Sequence, residues 1–227
     1  MPRRSERLSR PEEIAANLAG IGARIEAAAR RAGRDPARVT LVAVTKTRPL
    51  EDLLAAYAAG VRHFGENRVQ EAEAKFPHLP LDAVKHLVGP IQSNKTNKAA
   101  RLAGVLHAVD TADVARRLAR AAANEGRRLA VYVEVNTGGE ETKAGVSPAG
   151  APALVEVVRA LPELDLLGLM AIPPPGDTRP HFVALRSLAT TLGLKGLSMG
   201  MSDDFEAAIE EGATVVRVGT ALFGSRS

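Results

Sequence analysis

Lys46 is the first residue in this chain whose type and setting could do chemistry. It stands in Val44-Thr45-Lys46-Thr47, at the end of an apolar run. A lysine there, partly out of water, has its charged form disfavoured, and the freed amine can attack an aldehyde. The same side chain could instead lay its apolar stem along a strand end and reach solvent. Position alone leaves both readings open. Arg217-Val218-Gly219-Thr220 is the second candidate. Gly219 lets the backbone approach a ligand, and the amides of Gly219 and Thr220 begin a turn that can cradle phosphate. The alternative is an ordinary strand-to-helix turn with Thr220 as N-cap. Ser202-Asp203-Asp204 pulls two ways. Ser202 could donate to a phosphate or cap the helix that follows. The two aspartates suit a helix N-terminus but would repel a phosphate unless both point away.

Other chemistries find no support. His63, His78, His86, His107 and His181 lack metal-ligand spacing, and no HExxH, nucleophile elbow or GxGxxG pattern occurs. No metal site is expected, and His86, inside an apolar run, is expected to be a satisfied interior histidine. Cysteine is absent, which excludes disulfides and thiolate metal sites and makes a reducing cytoplasm the natural setting.

These residues need elements to position them. Ser9-Arg10-Pro11-Glu12 is a capping box, Ile14, Leu18, Ile21 and Ile25 recur at helical spacing, and Gly33 stops the helix. Eight short apolar runs follow: Val39 to Thr45, Val61 to Phe64, Val84 to Val88, Val105 to Ala108, Leu129 to Val135, Leu164 to Leu169, Leu194 to Ser198 and Thr214 to Val218. Helical stretches separate them, the last running from Asp203 to Glu211. Nearly all-apolar strands alternating with helices predict a parallel sheet covered on both faces, and eight in succession predict a closed (β/α)8 TIM barrel. The chain ends nine residues after Val218, too soon for a full closing helix, so the N-terminal helix is expected to cover that wall. The organisation predicted is one domain over 1–227, with the extra N-terminal helix at 9–33 and the barrel at 39–224. In such a barrel the working face is the C-terminal ends of the strands. Lys46, Asn67, Ser198, Ser202, Arg217, Gly219 and Thr220 all fall there.

Composition agrees. Of 227 residues 45% are apolar and 3% aromatic, so Ala, Val and Leu must fill the core. A net charge of +4 raises nucleic acid as a partner, but the basic residues are scattered and no aromatic stacking platform exists. No run approaches a membrane span, and the basic start, Met1 to Arg10, is interrupted by Glu6 with no apolar stretch after it. Neither nucleic acid nor membrane is expected, and no leader peptide.

Together the segments resemble a known family. Val42-Ala43-Val44-Thr45-Lys46, Phe64-Gly65-Glu66-Asn67, His86-Leu87-Val88-Gly89-Pro90-Ile91-Gln92-Ser93-Asn94-Lys95, Gly168-Leu169-Met170-Ala171-Ile172, Met199-Gly200-Met201-Ser202-Asp203-Asp204 and Val216-Arg217-Val218-Gly219-Thr220 are similar to the pyridoxal phosphate homeostasis protein family, in order, from Val39 to Gly224. The resemblance implies an alanine racemase-like barrel without that enzyme's second, β-rich domain, and pyridoxal 5′-phosphate (PLP) as cofactor. It implies that Lys46 forms the internal aldimine and that Arg217 faces the pyridine nitrogen. It also implies that Ser202 and the Gly219 and Thr220 amides hold the phosphate, with Asn67 and Ser198 lining the pocket.

Arginine stays protonated and can only donate, which leaves a facing pyridine nitrogen unprotonated and the ring a weaker electron sink. Racemisation further needs proton-transfer groups on both faces of the ring. Tyr57 and Tyr132 are the only tyrosines, and neither falls at a strand's C-terminal mouth. The expectation is therefore a monomeric, cytoplasmic PLP carrier or regulator in vitamin B6 homeostasis, with no catalytic residue of its own and PLP-dependent apo-enzymes as recipients. The alternative is a PLP-dependent racemase or lyase of the alanine racemase type. Lys95 and Lys143 stand near the rim, as solvated lysines or secondary amines for the aldehyde.

Overall fold

The structure, a computed structural model, describes residues 8–140 and 142–225. Eight parallel strands close a barrel in chain order: β1 (Thr40–Val44), β2 (His63–Glu66), β3 (Val84–Leu87), β4 (Val105–Val109), β5 (Leu129–Glu134), β6 (Leu164–Met170), β7 (Gly196–Ser198) and β8 (Val215–Val218). Around them lie α1 (Arg10–Arg31), α2 (Leu50–Ala58), α3 (Val69–Lys75), α4 (Thr96–Leu102), α5 (Ala112–Asn124), α6 (Ala151–Arg159), α7 (Arg179–Thr191), α8 (Phe205–Glu210) and the single turn α9 (Thr220–Phe223). The predicted barrel and its eight runs are all present. No helix among the described residues is long and apolar enough to cross a membrane.

Side chains alternate across each strand, and the alternation sorts the core into two layers. Ala43, Leu197, Val216 and Val218 turn outward into the layer between sheet and helices. Val42, Val44, Val88, Ala108, Tyr132, Met170 and Val215 fill the barrel interior. Arg217 shares the inward face with Val215, and Ser198 faces inward opposite to Leu197. Their place beneath the barrel mouth follows from a period of two.

α1 occupies the position of the missing eighth outer helix. Its start is fixed by the Ser9 amide, which donates to the Glu12 carboxylate at 2.7 Å. Its apolar side, including Ile14, Ile21 and Ile25, is buried. The polar flanks clamp it across the gap between α8 and α2. Arg24 forks onto Glu206 at 2.8 and 2.7 Å, Arg34 caps the carbonyls of Ile209 and Ala213, and Arg10 reaches both Asp52 and the Phe223 carbonyl.

Several boundaries differ by a residue or two from the sequence expectation, and three of these shifts have a clear cause. β2 runs over His63–Glu66 rather than Val61 to Phe64, because the Val61 amide closes α2 on the Ala56 carbonyl while Gly65 pairs with both Val44 and His86. β7 begins at Gly196 because the Leu194 amide ends α7 on Ala189. α8 begins at Phe205, since Asp204 turns back to accept the Met201 amide at 2.6 Å.

Candidate functional site at the barrel mouth

A cavity of about 320 Å³ opens at the C-terminal ends of the strands. Lys46, Asn67, Ser202, Arg217, Gly219 and Thr220 all line it, with Val44, Val88, Pro90, Ile172 and Met201 supplying the apolar wall. Residues from β1, β2, β7 and β8, up to 174 positions apart in sequence, thus meet in one place. The seventh predicted residue does not. Ser198 is wholly buried and bonds the Arg217 guanidinium, the longer inward-facing side chain that reaches the wall in its place.

The loop carrying Lys46 is held from below. Thr45 donates its amide to Gly65 and its hydroxyl to Glu66, at 2.9 and 2.7 Å. Thr47, immediately after Lys46, has φ of 63°, a conformation that costs a non-glycine residue on the order of 1 kcal/mol. Two groups of α3 offset that cost. Glu71 accepts the Thr47 amide at 2.7 Å, and Lys75 bridges Glu66, Glu71 and the Thr45 carbonyl at 2.7, 3.1 and 2.8 Å. Lys46 itself is exposed at the mouth rather than partly desolvated as expected. Burial pushes the Glu66 carboxyl upward despite Lys75 and Thr45, so Lys75 is the partner that keeps this buried acid tolerable. Replacing Lys75 by methionine should destabilise the protein by about 3 kcal/mol in guanidinium denaturation, the usual loss when one member of a buried pair is removed. It should also loosen the Lys46 loop.

Arg217 is buried, with one guanidinium nitrogen donating to Ser198 Oγ at 2.6 Å and the other to the Ala171 carbonyl at 3.0 Å. Its backbone amide is fixed on the Gly200 carbonyl. Burial lowers its pKa to about 10, opposed chiefly by Glu134, so the side chain remains a cation at neutral pH. Burial, followed by repulsion from Asp110, raises Glu134 to about 7.

Ser202 resolves one ambiguity. Its Oγ accepts the Ala221 amide at 3.1 Å, tying the β7–α8 loop to the first turn of α9. It therefore does not cap α8, and its hydroxyl proton remains able to donate into the cavity. Asp204 points back into its own loop, while Asp203 stays on the rim. Around the wall stand three cations, Lys46, Arg48 and Arg217, against one carboxylate, Asp203. That surplus favours an anionic group. Gly219 is tight for a reason beyond ligand approach, since a Cβ there would lie 3.2 Å from the Val44 carbonyl. Lys95 and Lys143 are not on the wall, and Lys143 pairs with Glu140. Neither tyrosine reaches it: Tyr57 bonds Asp82 outside the barrel, and Tyr132 is buried within it.

The interior histidines carry what spacing alone missed. His86 is buried and satisfied, as predicted. His63 Nδ1 and His86 Nε2 lie 3.0 Å apart, His86 Nδ1 and His107 Nε2 2.9 Å, and His107 Nδ1 and Ser198 Oγ 2.8 Å. The signal was present: three histidines on consecutive strands, one βα unit apart. Burial and the next ring push His86 down to about 3; burial, His86 and Arg217 push His107 well below the ordinary value, and burial lowers His63. Below pH ~6.5 the unfolded chain binds protons that these rings refuse, so stability falls on acidification, by up to about 1.4 kcal/mol per pH unit for each titrating ring. Glu134 opposes this, because its raised pKa makes the folded state the better proton binder up to about 7. The denaturation midpoint should therefore fall from pH 7 to pH 5, and more steeply in Glu134→Gln. A midpoint that rises on acidification would contradict neutral buried rings.

Known proteins share this arrangement's frame. The family model for the alanine racemase N-terminal domain matches residues 16–227. A pyridoxal phosphate homeostasis protein of Pseudomonas aeruginosa is 50% identical over 222 residues, covering 94% of this chain and 96% of its own. PipY of Synechococcus elongatus, a structure solved with PLP bound, superposes with a TM-score of 0.82 at 40% identity, over 93% of this chain and all of that one. Alanine racemase of Corynebacterium glutamicum shares the fold at 18% identity and a TM-score of 0.69, with 95% of this chain matching 61% of that enzyme.

Proposed function

The chain belongs to the pyridoxal phosphate homeostasis protein family, and from that membership we propose that it carries PLP in the barrel-mouth cavity on Lys46. The convergence of Lys46, Arg217, Ser202, Gly219 and Thr220 on one cavity with surplus positive charge is the observation that carries this reading. When bound, PLP supplies an aldehyde that primary amines take up reversibly and a ring that can draw electrons. Lys46 Nζ is the amine within the cavity. Its amine would take up that aldehyde carbon, the carbonyl oxygen being released as water. Arg217, held by Ser198 and Ala171, offers only donors to the ring nitrogen. The Ser202 hydroxyl and the amides at the start of α9 receive the phosphate, and Asn67 flanks the ring.

The same geometry argues for holding over turnover. Arg217 withholds a proton from the ring nitrogen, and no tyrosine among the described residues stands on the cavity wall to serve a second face. Lys46 is exposed at the mouth, so another primary amine can reach the same carbon and take PLP away. On this reading the chain works in the cytoplasm as a monomer and hands PLP to dependent apo-enzymes. The shared barrel keeps a racemase as the rival reading. Purified protein mixed with PLP should turn yellow, transfer the cofactor to an apo-aminotransferase and leave L-alanine unracemised. Rapid racemisation would replace this reading with the rival, and absence of the visible band would remove both.

A further inference from the structure

The interior of this barrel holds a hydrogen-bond chain that no role above absorbs. It begins at His63, half-buried at the N-terminal end of β2, on the face away from the cavity. It passes through His86 and His107 on the next two strands, crosses to Ser198 on β7 and ends at the Arg217 guanidinium on the cavity wall. All four links beyond His63, namely His86, His107, Ser198 and Arg217, are at most 3% exposed. Tyr132 stacks on His107 with ring centroids 4.8 Å apart, which fixes the plane of that ring.

The chain has a direction, and the cation sets it. Arg217 can only donate, so Ser198 Oγ must accept from it. Among the described residues the only other partner of Ser198 Oγ is His107 Nδ1. If His107 donated there, the Ser198 hydroxyl proton would be left without an acceptor in a dry core, which buried polar groups avoid. Ser198 therefore donates to His107 Nδ1. His107 then carries its proton on Nε2 and donates to His86 Nδ1, and His86 donates from Nε2 to His63 Nδ1. One tautomer is selected at every ring.

We propose that His107, with His86 and His63 behind it, is a positioning residue for Arg217, and that this single-polarity chain holds the guanidinium in register with the cavity from the opposite end of the barrel. The consequence for a bound ring rests on the PLP reading above, but the chain itself does not. Its function is orientation. Ser198 has two other atoms to satisfy and cannot rotate toward the cavity, and Arg217 keeps its remaining N–H groups pointed where Ser198 and Ala171 leave them.

Long-range ¹H–¹⁵N correlation spectra of the PLP-free, histidine-labelled protein at pH 7 test the direction without any variant. His86 and His107 should each show a bare Nδ1 and a protonated Nε2. A proton on His107 Nδ1 would overturn the proposal. His107→Phe, which keeps the stack on Tyr132, tests the positioning: with PLP added, its visible band should shift and its cofactor affinity fall several-fold, and His107→Gln, which retains an acceptor for Ser198, should recover part of both. A His107→Phe protein that folds and matches the wild type in band and affinity also overturns it. A wild type that never turns yellow refutes the PLP reading instead, and leaves the tautomer result to decide the chain.

Discussion

Lys46→Ala protein should fold normally, stay colourless in the presence of PLP and bind it at least about 100-fold more weakly, a loss of roughly 2.7 kcal/mol or more. The reasoning has two halves. Lys46 is exposed and its loop is held by Thr45, Thr47, Glu71 and Lys75, none of which needs its side chain. Truncation at such a surface position costs within about 0.5 kcal/mol. The cavity, by contrast, loses the one amine that the described residues place on its wall, since Arg48 and Arg217 are guanidinium groups and Lys95 and Lys143 lie elsewhere. Phosphate contacts alone would remain. Spectrophotometric titration together with a thermal melt separates the halves. A variant that stays yellow would assign the covalent bond to another lysine, and one that unfolds would make Lys46 structural.

Gly168→Ala should have the largest effect on the fold. β6 and β7 pair with Gly168 opposite Gly196, and a Cβ at 168 would sit 1.8 Å from the Gly196 carbonyl oxygen and 2.4 Å from its carbon. Backbone cannot yield as a side-chain tip can. A Cβ at 196 would likewise meet the Leu167 carbonyl at 2.3 Å and a Tyr132 ring carbon at 3.1 Å. The two glycines thus let β6 and β7 close beside the ring that stacks on His107. Alanine at 168 should destabilise by about 4 kcal/mol or more, in the range reserved for broken backbone geometry. Soluble yield and far-ultraviolet circular dichroism report it. A variant melting within a few degrees of the wild type would show that the strands can separate there at little cost.

The sequence carried the barrel because its strands are short, apolar and separated by helices, a pattern that depends on burial and not on fine geometry. The same pattern placed Lys46, Ser202, Arg217, Gly219 and Thr220 at strand ends, where a barrel must bring them together. It misjudged β2, since Gly65 and Glu66 look like loop residues until Thr45 and Lys75 are seen to bond one oxygen of the buried Glu66 carboxyl. The resemblance put Ser198 on the wall, where the longer Arg217 side chain on the same inward face stands instead. The clamp under Thr47 was illegible, for nothing in Glu71 or Lys75 announces a positive φ three elements away. The histidine chain was half legible: spacing put His63, His86 and His107 on neighbouring strands, but only the register of β2, β3 and β4 brings their rings within 3.0 Å.

Borohydride reduction of the PLP-loaded protein, followed by peptide mass mapping, addresses the covalent assignment most directly, because reduction makes the carbon–nitrogen bond permanent. The account predicts one pyridoxyl group per chain, on the peptide containing Lys46. A label found on Lys95 or Lys143 in place of Lys46, or no label at all, would contradict it.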